Sequence, residues 1–403
     1  VRARFTAGIV NAVFTTRIMS LSFKSLCRVF VALAVAGLAV APGAAPAADT
    51  ALVELGRALF FDVNLSATRQ QSCATCHDPA RGFVDPRDNG VGGALSLGSD
   101  GRALGDRNAP TAAYAALVPP LTRDKTGEYR GGLFHDGRAR DLVEQAGQPM
   151  LNPLEMQMPD AAAVVARVRE NPVYVAALTR HFGAALFEDD AAAFKAVSQA
   201  IASFERSPAL VAFDSRYDRY LRGEVKLTAE EDQGRVLFFS SLTNCTSCHL
   251  LETTHLAARE TFTNHRYFNI GLPANAAARA ANGKAGSIDH GLAANPAVAG
   301  QGQDGKFRVP TLRNVAVSAP YMHNGVFKQL STAIFFYNQH LVKNARNAIN
   351  PETGQPWGPP EVPATVEHDQ LALGQPLDDE RIALIVAFLA TLTDQRFEPL
   401  LKK

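Results

Sequence analysis

The chain has 403 residues, with 40 Lys and Arg against 39 Asp and Glu, a net charge of +1, and 47% hydrophobic residues. This near-neutral balance contains no basic run, so it offers nothing to a nucleic-acid or anionic-membrane partner. Length alone allows two domains of ordinary size.

In chain order, the first feature is a leader. Lys24 and Arg28 flank an almost wholly apolar run, residues 29–41, which ends in small residues and an Ala45-Pro46-Ala47 site. This predicts a secretory signal peptide over 1–47 and a periplasmic mature chain. The run is short for a membrane span, although an uncleaved anchor is the bland alternative. Met19 is a candidate true start, which would make residues 1–18 an over-extension.

Of the five cysteines, Cys27 leaves with the leader. The other four form Cys73-Ala74-Thr75-Cys76-His77 and Cys245-Thr246-Ser247-Cys248-His249. C-x-x-C-H is the attachment sequence for a c-type haem. Its thiols add to the haem vinyl groups, and the adjoining imidazole lies beneath the iron. A zinc ribbon would set its two C-x-x-C pairs about 15–20 residues apart, not in opposite halves of the chain. A thioredoxin-like pair would need a βαβ setting that neither site has. Two covalently bound haem c groups are therefore expected, on Cys73, Cys76 and His77 and on Cys245, Cys248 and His249.

Three further features recur in the same order. Leu55-Gly56-Arg57-Ala58-Leu59-Phe60-Phe61 is matched by Gln233-Gly234-Arg235-Val236-Leu237-Phe238-Phe239. Ala109-Pro110-Thr111 is matched by Val309-Pro310-Thr311, and Phe134-His135-Asp136-Gly137 by Met322-His323-Asn324-Gly325. This pattern is a tandem duplication. Residues 161–182 and 191–204 carry apolar residues at helical spacing, with Asp160 and Asp190 as N-caps, and 381–392 is a further helical stretch. Strand patterning is scarce, and the Gly-, Asn- and Pro-rich segments 85–110 and 274–305 read as long functional loops. The expected fold is all-α: two tandem cytochrome-c-like haem domains, 48–212 and 213–403.

The copies differ where it matters for iron. Tyr337 lies fourteen residues after His323, and Pro149 fourteen after His135. If that position faces the iron opposite the proximal histidine, the second haem has a phenol oxygen as axial ligand. The first has a pyrrolidine ring, which cannot donate to a metal.

At this point the chain resembles the bacterial di-haem cytochrome c peroxidase and MauG family. The match rests on both C-x-x-C-H sites, Asp136-Gly137-Arg138-Ala139, Glu144-Gln145-Ala146 and Pro310-Thr311-Leu312-Arg313-Asn314-Val315. It continues through Ala319-Pro320-Tyr321-Met322-His323 and Ile385-Val386-Ala387-Phe388-Leu389. The resemblance implies an N-terminal peroxidatic haem and a C-terminal electron-transfer haem. The family position matching Tyr337 is methionine in ordinary peroxidases and tyrosine in the MauG-like branch. Ordinary peroxidases also cap the resting peroxidatic iron with a loop histidine, and residues 85–108 contain none.

The resemblance assigns Glu155 to proton transfer and Gln145 to orienting peroxide or water, the bland alternative being two ordinary polar side chains near a helix start. It matches Asn108 and the backbone carbonyls of Ser318 and Pro320 to a calcium site between the domains. His135 stands where the family commonly has a tryptophan between the haems, so a hop through that residue is in doubt. Trp357, the chain's one tryptophan, is as readily a packing residue. His135 and His323 read equally well as structural residues bonded to backbone.

The implied activity is peroxide reduction with electrons from a small donor cytochrome or cupredoxin. The MauG-like alternative is oxidation of side chains on a partner protein. A non-catalytic di-haem carrier remains a third reading and requires both irons to be six-coordinate. The mature chain is expected to have no membrane span, and its oligomeric state is left open.

Overall fold

A computed structural model describes residues 49–251, 259–298 and 302–402, all of which fall in one compact unit. The predicted leader, with Met19 and Cys27, lies outside the described residues. Helices dominate. The strands are six two-residue segments in three antiparallel pairs: Thr122–Arg123 with Tyr129–Arg130, Tyr267–Phe268 with Phe307–Arg308, and Ile349–Asn350 with Gln355–Pro356. Among the described residues no helix is long and apolar enough to cross a membrane.

Each copy is built on one crossed helix pair. Helix Thr50–Phe60 buries Leu55, Leu59 and Phe60 against helix Asp190–Glu205. Helix Ala229–Phe239 packs in the same way on Asp379–Ala390, which buries Ile382, Ile385, Phe388 and Leu389 at helical spacing. The repeated glycine explains both crossings. A Cβ on Gly56 would stand 1.8 Å from the Ala200 carbonyl oxygen, and one on Gly234 would stand 1.9 Å from that of Leu384. No side chain fits at either point, so the backbones meet directly.

Two of the predicted helix limits need correction. The stretch 161–182 is two helices, Ala161–Arg169 and Pro172–Phe182. Pro172 has no N–H to continue the first helix and instead starts the second, with Asn171 as its cap. The cap of the Asp190–Glu205 helix is Asp189, whose carboxylate accepts from Ala191 N and Ala192 N, while Asp190 is the first helical residue. Asp160 caps its helix as expected, accepting from Ala163 N at 2.8 Å. The last helix is capped by Asp378.

Buried side chains form two main clusters. One runs from Leu55 to Phe213 and the other from Tyr217 to Leu392. Phe397, in the closing 3-10 segment Gln395–Lys402, returns to the first cluster and meets Phe83 edge-on. Between the clusters sits a buried ion pair, Arg313 with Asp218 at 2.6 and 2.8 Å, the guanidinium covered by Phe213 and Phe262.

Candidate active site

The two attachment sequences fold alike. Cys73–Cys76 forms one helical turn and Cys245–Ser247 a 3-10 turn, and each following histidine donates its N–H back to the first cysteine's carbonyl at 2.9 Å. His77 Nδ1 lies 3.1 Å from the Phe83 carbonyl oxygen, and His249 Nδ1 lies 2.8 Å from that of Phe262. A carbonyl only accepts, so Nδ1 carries the proton and Nε2 keeps its lone pair for a metal. Phe83 and Phe262 both take left-handed backbone, with φ of 57° and 55°, and that turn aims each carbonyl at its ring. Burial pushes both imidazoles below their ordinary value, His249 to about 4, so both rings are neutral and suited to ligate a metal. All four thiols are free of disulfides, and burial pushes them up, Cys76 to about 11.

Both sites open into one connected cavity of about 530 Å³. Its walls are mainly apolar, with a few convergent polar groups. Three of these groups lack a full set of partners among the described residues. Tyr337 is half-buried and its phenol makes no hydrogen bond to a described residue; desolvation raises its pKa, and Cys248 and Cys245 are the titratable groups that act on it. Glu205 Oε2 is buried and unbonded. The Arg308 side chain bonds the Phe134 carbonyl at 3.3 Å and pairs with no carboxylate among the described residues. Apolar walls, paired thiols, a lone-pair nitrogen and a half-buried cation suit two covalently attached haems with carboxylate substituents.

Gln145 and Pro149 lie on helix Leu142–Leu151, and both line the cavity. The chain then doubles back. Glu155 N donates to Asn152 O at 3.0 Å, and Ser99 N donates to Glu155 O at 2.8 Å. Asn152 Nδ2 donates to Glu155 Oε1 at 2.8 Å, which fixes the carboxyl. Burial raises the Glu155 pKa against the opposing pull of Arg138, so the group keeps a protonated fraction at higher pH than an exposed glutamate. Its charge reaches both Cys73 and Cys76, so Glu155 faces the first attachment site. A second, outer cleft of about 850 Å³ shares Phe134, Arg138, Pro149, Asn152 and Glu155 with the inner cavity. The equivalent stretch in the second copy is helix Leu330–Phe335, followed by Tyr337 in helical backbone.

The halves meet through reciprocal contacts. Asn108 N donates to the His323 carbonyl at 2.8 Å, and Arg308 N, at the matching repeat position, donates to the His135 carbonyl at 2.9 Å. Gly137 (φ 69°) sits against the Tyr267 hydroxyl and Gly325 (φ 61°) against Ala94, and neither has room for a Cβ. The histidines themselves are unlike. His135 Nε2 bonds the Asn108 carbonyl at 2.9 Å, whereas His323 Nε2 is buried without a partner and its ring stacks on Phe307 at 3.4 Å. Arg107 joins Asp136 and Asp289 across this boundary, at 2.6 and 2.7 Å.

Asn108 Nδ2 donates to the carbonyls of Gly93 and Ala94, and Gly93 packs against Pro320. Ser318 Oγ bonds Val315 O at 3.2 Å. No cluster of three or more His, Cys, Asp or Glu side chains suited to a metal ion occurs among the described residues. A calcium ion on Asn108, Ser318 and Pro320 would rest on amide and carbonyl oxygens with water. Trp357 packs on Phe327, Phe335 and Phe336 and donates to Asn347 O at 2.7 Å.

Sequence reasoning passed over Glu205, Arg107 and Arg308. For Arg308 a signal existed, because it stands at the repeat position of Asn108.

A two-copy helical protein with two C-x-x-C-H turns on a shared cavity is, as a class, a di-haem c-type cytochrome with one distal face unlike the other. The family model for di-haem cytochrome c peroxidase matches residues 50–226. The methylamine utilization protein MauG of Paracoccus denitrificans is 52% identical over 357 residues, 88% of this chain and 92% of its own. The cytochrome c551 peroxidase of Pseudomonas aeruginosa is 33% identical over 282 residues, 70% of each chain. The crystal structure of the diheme peroxidase BthA from Burkholderia thailandensis superposes with a TM-score of 0.77 at 32% identity, over 88% of this chain and 89% of that one. The chain belongs to the di-haem cytochrome c peroxidase family. It is an oxidoreductase of that family with two c-type haems and a peroxide acceptor.

Proposed function

We propose that the iron on His77 is open and reacts with hydrogen peroxide, while the iron on His249 is closed by Tyr337. The observation that carries this reading is the contrast at one repeat position. Pro149 offers no donor atom, whereas Tyr337 offers a half-buried phenol that lines the cavity and has no hydrogen-bond partner among the described residues. Domains of 48–212 and 213–403 follow from the same duplication.

Haem iron, when bound, supplies the electrons that break the O–O bond. The chain's own residues handle the protons. One oxygen of peroxide must lose a proton and the other must gain one, and Glu155 is the group for both transfers. Its Oε1 is held by Asn152, so the carboxyl has a fixed orientation. Gln145, one turn before Pro149 on the same helix, orients peroxide or water by its amide. Peroxide would enter from the outer cleft, because Glu155 and Pro149 line both that cleft and the inner cavity.

Electrons for turnover come from a small donor cytochrome or cupredoxin through the second haem, in a periplasmic setting. A second reading is favoured by Tyr337 and by the 52% identity to MauG. In it, haems held by His77 and by His249 with Tyr337 would supply the oxidising power, and side chains of a partner protein would give up the electrons. Phenolate is a hard anionic donor that favours higher oxidation states. A calcium ion on Asn108, Ser318 and Pro320 completes this proposal.

The test is a peroxide titration of the ferric protein, with and without candidate donors, followed by absorption and spin-resonance spectra. One high-spin and one low-spin haem, with a response to peroxide, is expected. Two low-spin haems and no response would make the protein an electron carrier.

A further inference from the structure

We propose that Glu205 is the proton-exchanging partner of the first haem: its carboxyl binds a proton when that haem gains an electron and releases it when the electron leaves. This goes beyond the assignment of Glu155, which acts on peroxide, and it rests only on a haem at Cys73–His77.

Glu205 is the last residue of helix Asp190–Glu205 and lines the cavity beside the first attachment turn. It is 5% exposed, and Oε2 has no hydrogen-bond partner. An ionised carboxylate left bare in such a place is costly, so the group keeps its proton instead. Burial pushes it up to about 8, opposed only by Arg206. Its influence falls on Cys73, where it is the strongest charge acting on that thiol.

Most of the other charged groups near this helix are engaged elsewhere, although Arg167 keeps one buried guanidinium nitrogen without a hydrogen bond. On helix Thr50–Phe60, Glu54 and Arg57 pair with each other at the surface. On Leu142–Leu151, Glu144 turns outward to Arg140 N. Arg167 reaches Ala67 O, Arg169 pairs with Asp190, and His181 pairs with Asp49. Arg180 and Glu188 complete the set on the neighbouring helices. Across the cavity, Glu155 also acts on Cys73 and competes with Glu205 there; Asp106, Tyr114 and His135 line the same cavity.

A ferric haem carries one more positive charge than a ferrous one. In a cavity of low dielectric that charge acts strongly on a nearby carboxyl and favours its ionised form. The balanced step takes ferric haem and Glu205 carboxylate, with one electron from a donor and one proton from solvent, to ferrous haem and Glu205 carboxylic acid. No bond to iron forms or breaks. The first haem thus changes oxidation state without a change of net charge inside the protein.

The experiment is an electrochemical titration of the holo-protein at neutral to alkaline pH, with the two haems told apart by spin state. One proton per electron changes the reduction equilibrium tenfold per pH unit, about 59 mV for a one-electron couple. The first haem of the unaltered protein is expected to approach that slope, with potential falling as pH rises. Glu205→Gln should flatten the slope in this window, and Glu155→Gln should keep it. A flat response in the unaltered protein, or a slope that survives Glu205→Gln, overturns the proposal. Should Glu205→Gln not yield folded protein, reduced-minus-oxidised infrared spectra of the unaltered protein decide. A carboxylic acid band gained on reduction supports the proposal, and its absence overturns it. Retention of haem after denaturation reports the attachment independently.

Discussion

In the proposed mechanism, single atoms of Tyr337 and Glu155 decide the chemistry. Replacing Tyr337 by Met exchanges a hard oxygen donor for a soft thioether. Redox titration should then show a raised second-haem potential, by something on the order of a tenth of a volt or more within the ~0.8 V range that axial ligands span. The first-haem potential should barely move, and no change in either would remove Tyr337 as a ligand. Glu155→Gln keeps the Asn152 contact geometry but cannot exchange a proton. Stopped-flow reaction with peroxide should slow roughly 10²–10⁴-fold with both haems retained; unchanged kinetics would move the proton transfer to another residue. Tyr337 and Pro149 were legible from sequence because a repeat supplies its own alignment. Glu205 was not, since one glutamate in a helical run looks solvated until the fold shows what covers it.

At the level of elements, the helix pairs depend on a missing side chain. Gly56→Ala or Gly234→Ala would force a methyl group into a carbonyl oxygen, and the helices would have to part. Each is expected to cost about 1–3 kcal/mol or more, read as a lower denaturant midpoint. A midpoint unchanged by either substitution would mean the crossing is looser than described. The sequence showed this repeat but not its reason, because the clash is with Ala200 and Leu384, more than a hundred residues away. Helix limits were legible to within a few residues. They failed where Pro172 restarts a helix and where adjacent aspartates, Asp189 and Asp190, compete for one cap.

For the whole molecule, buried titratable groups set the stability profile. His135 and His265 are held neutral by burial, at about 4 and about 3, and His323 lies well below the ordinary range. Unfolded histidines take a proton near pH 6.5, so the unfolded state gains protons first and stability falls as pH drops below that value. Glu205 acts in the opposite direction. Its folded value of about 8 exceeds the unfolded 4.5, so stability is lost as pH rises between the two. Thermal unfolding should therefore show a midpoint that drops below about pH 6.5. Glu205→Gln should also recover stability at alkaline pH, on the order of a few kcal/mol. A midpoint independent of pH between 5 and 7 would contradict the histidine assignment.

The reciprocal pairing of Asn108 with His323 and of Arg308 with His135 is the contact that two identical molecules make about a twofold axis. Here it is held within one chain, and it is made by backbone N–H and C=O groups rather than by side chains. A backbone joint does not care which side chain it carries. Asparagine on one side and arginine on the other leave the same two bonds in place. At those two positions the joint tolerates a change of side chain, so the surroundings of the two sites are free to drift apart. A symmetric ancestor could have been specialised one side chain at a time, with no loss of register at any step.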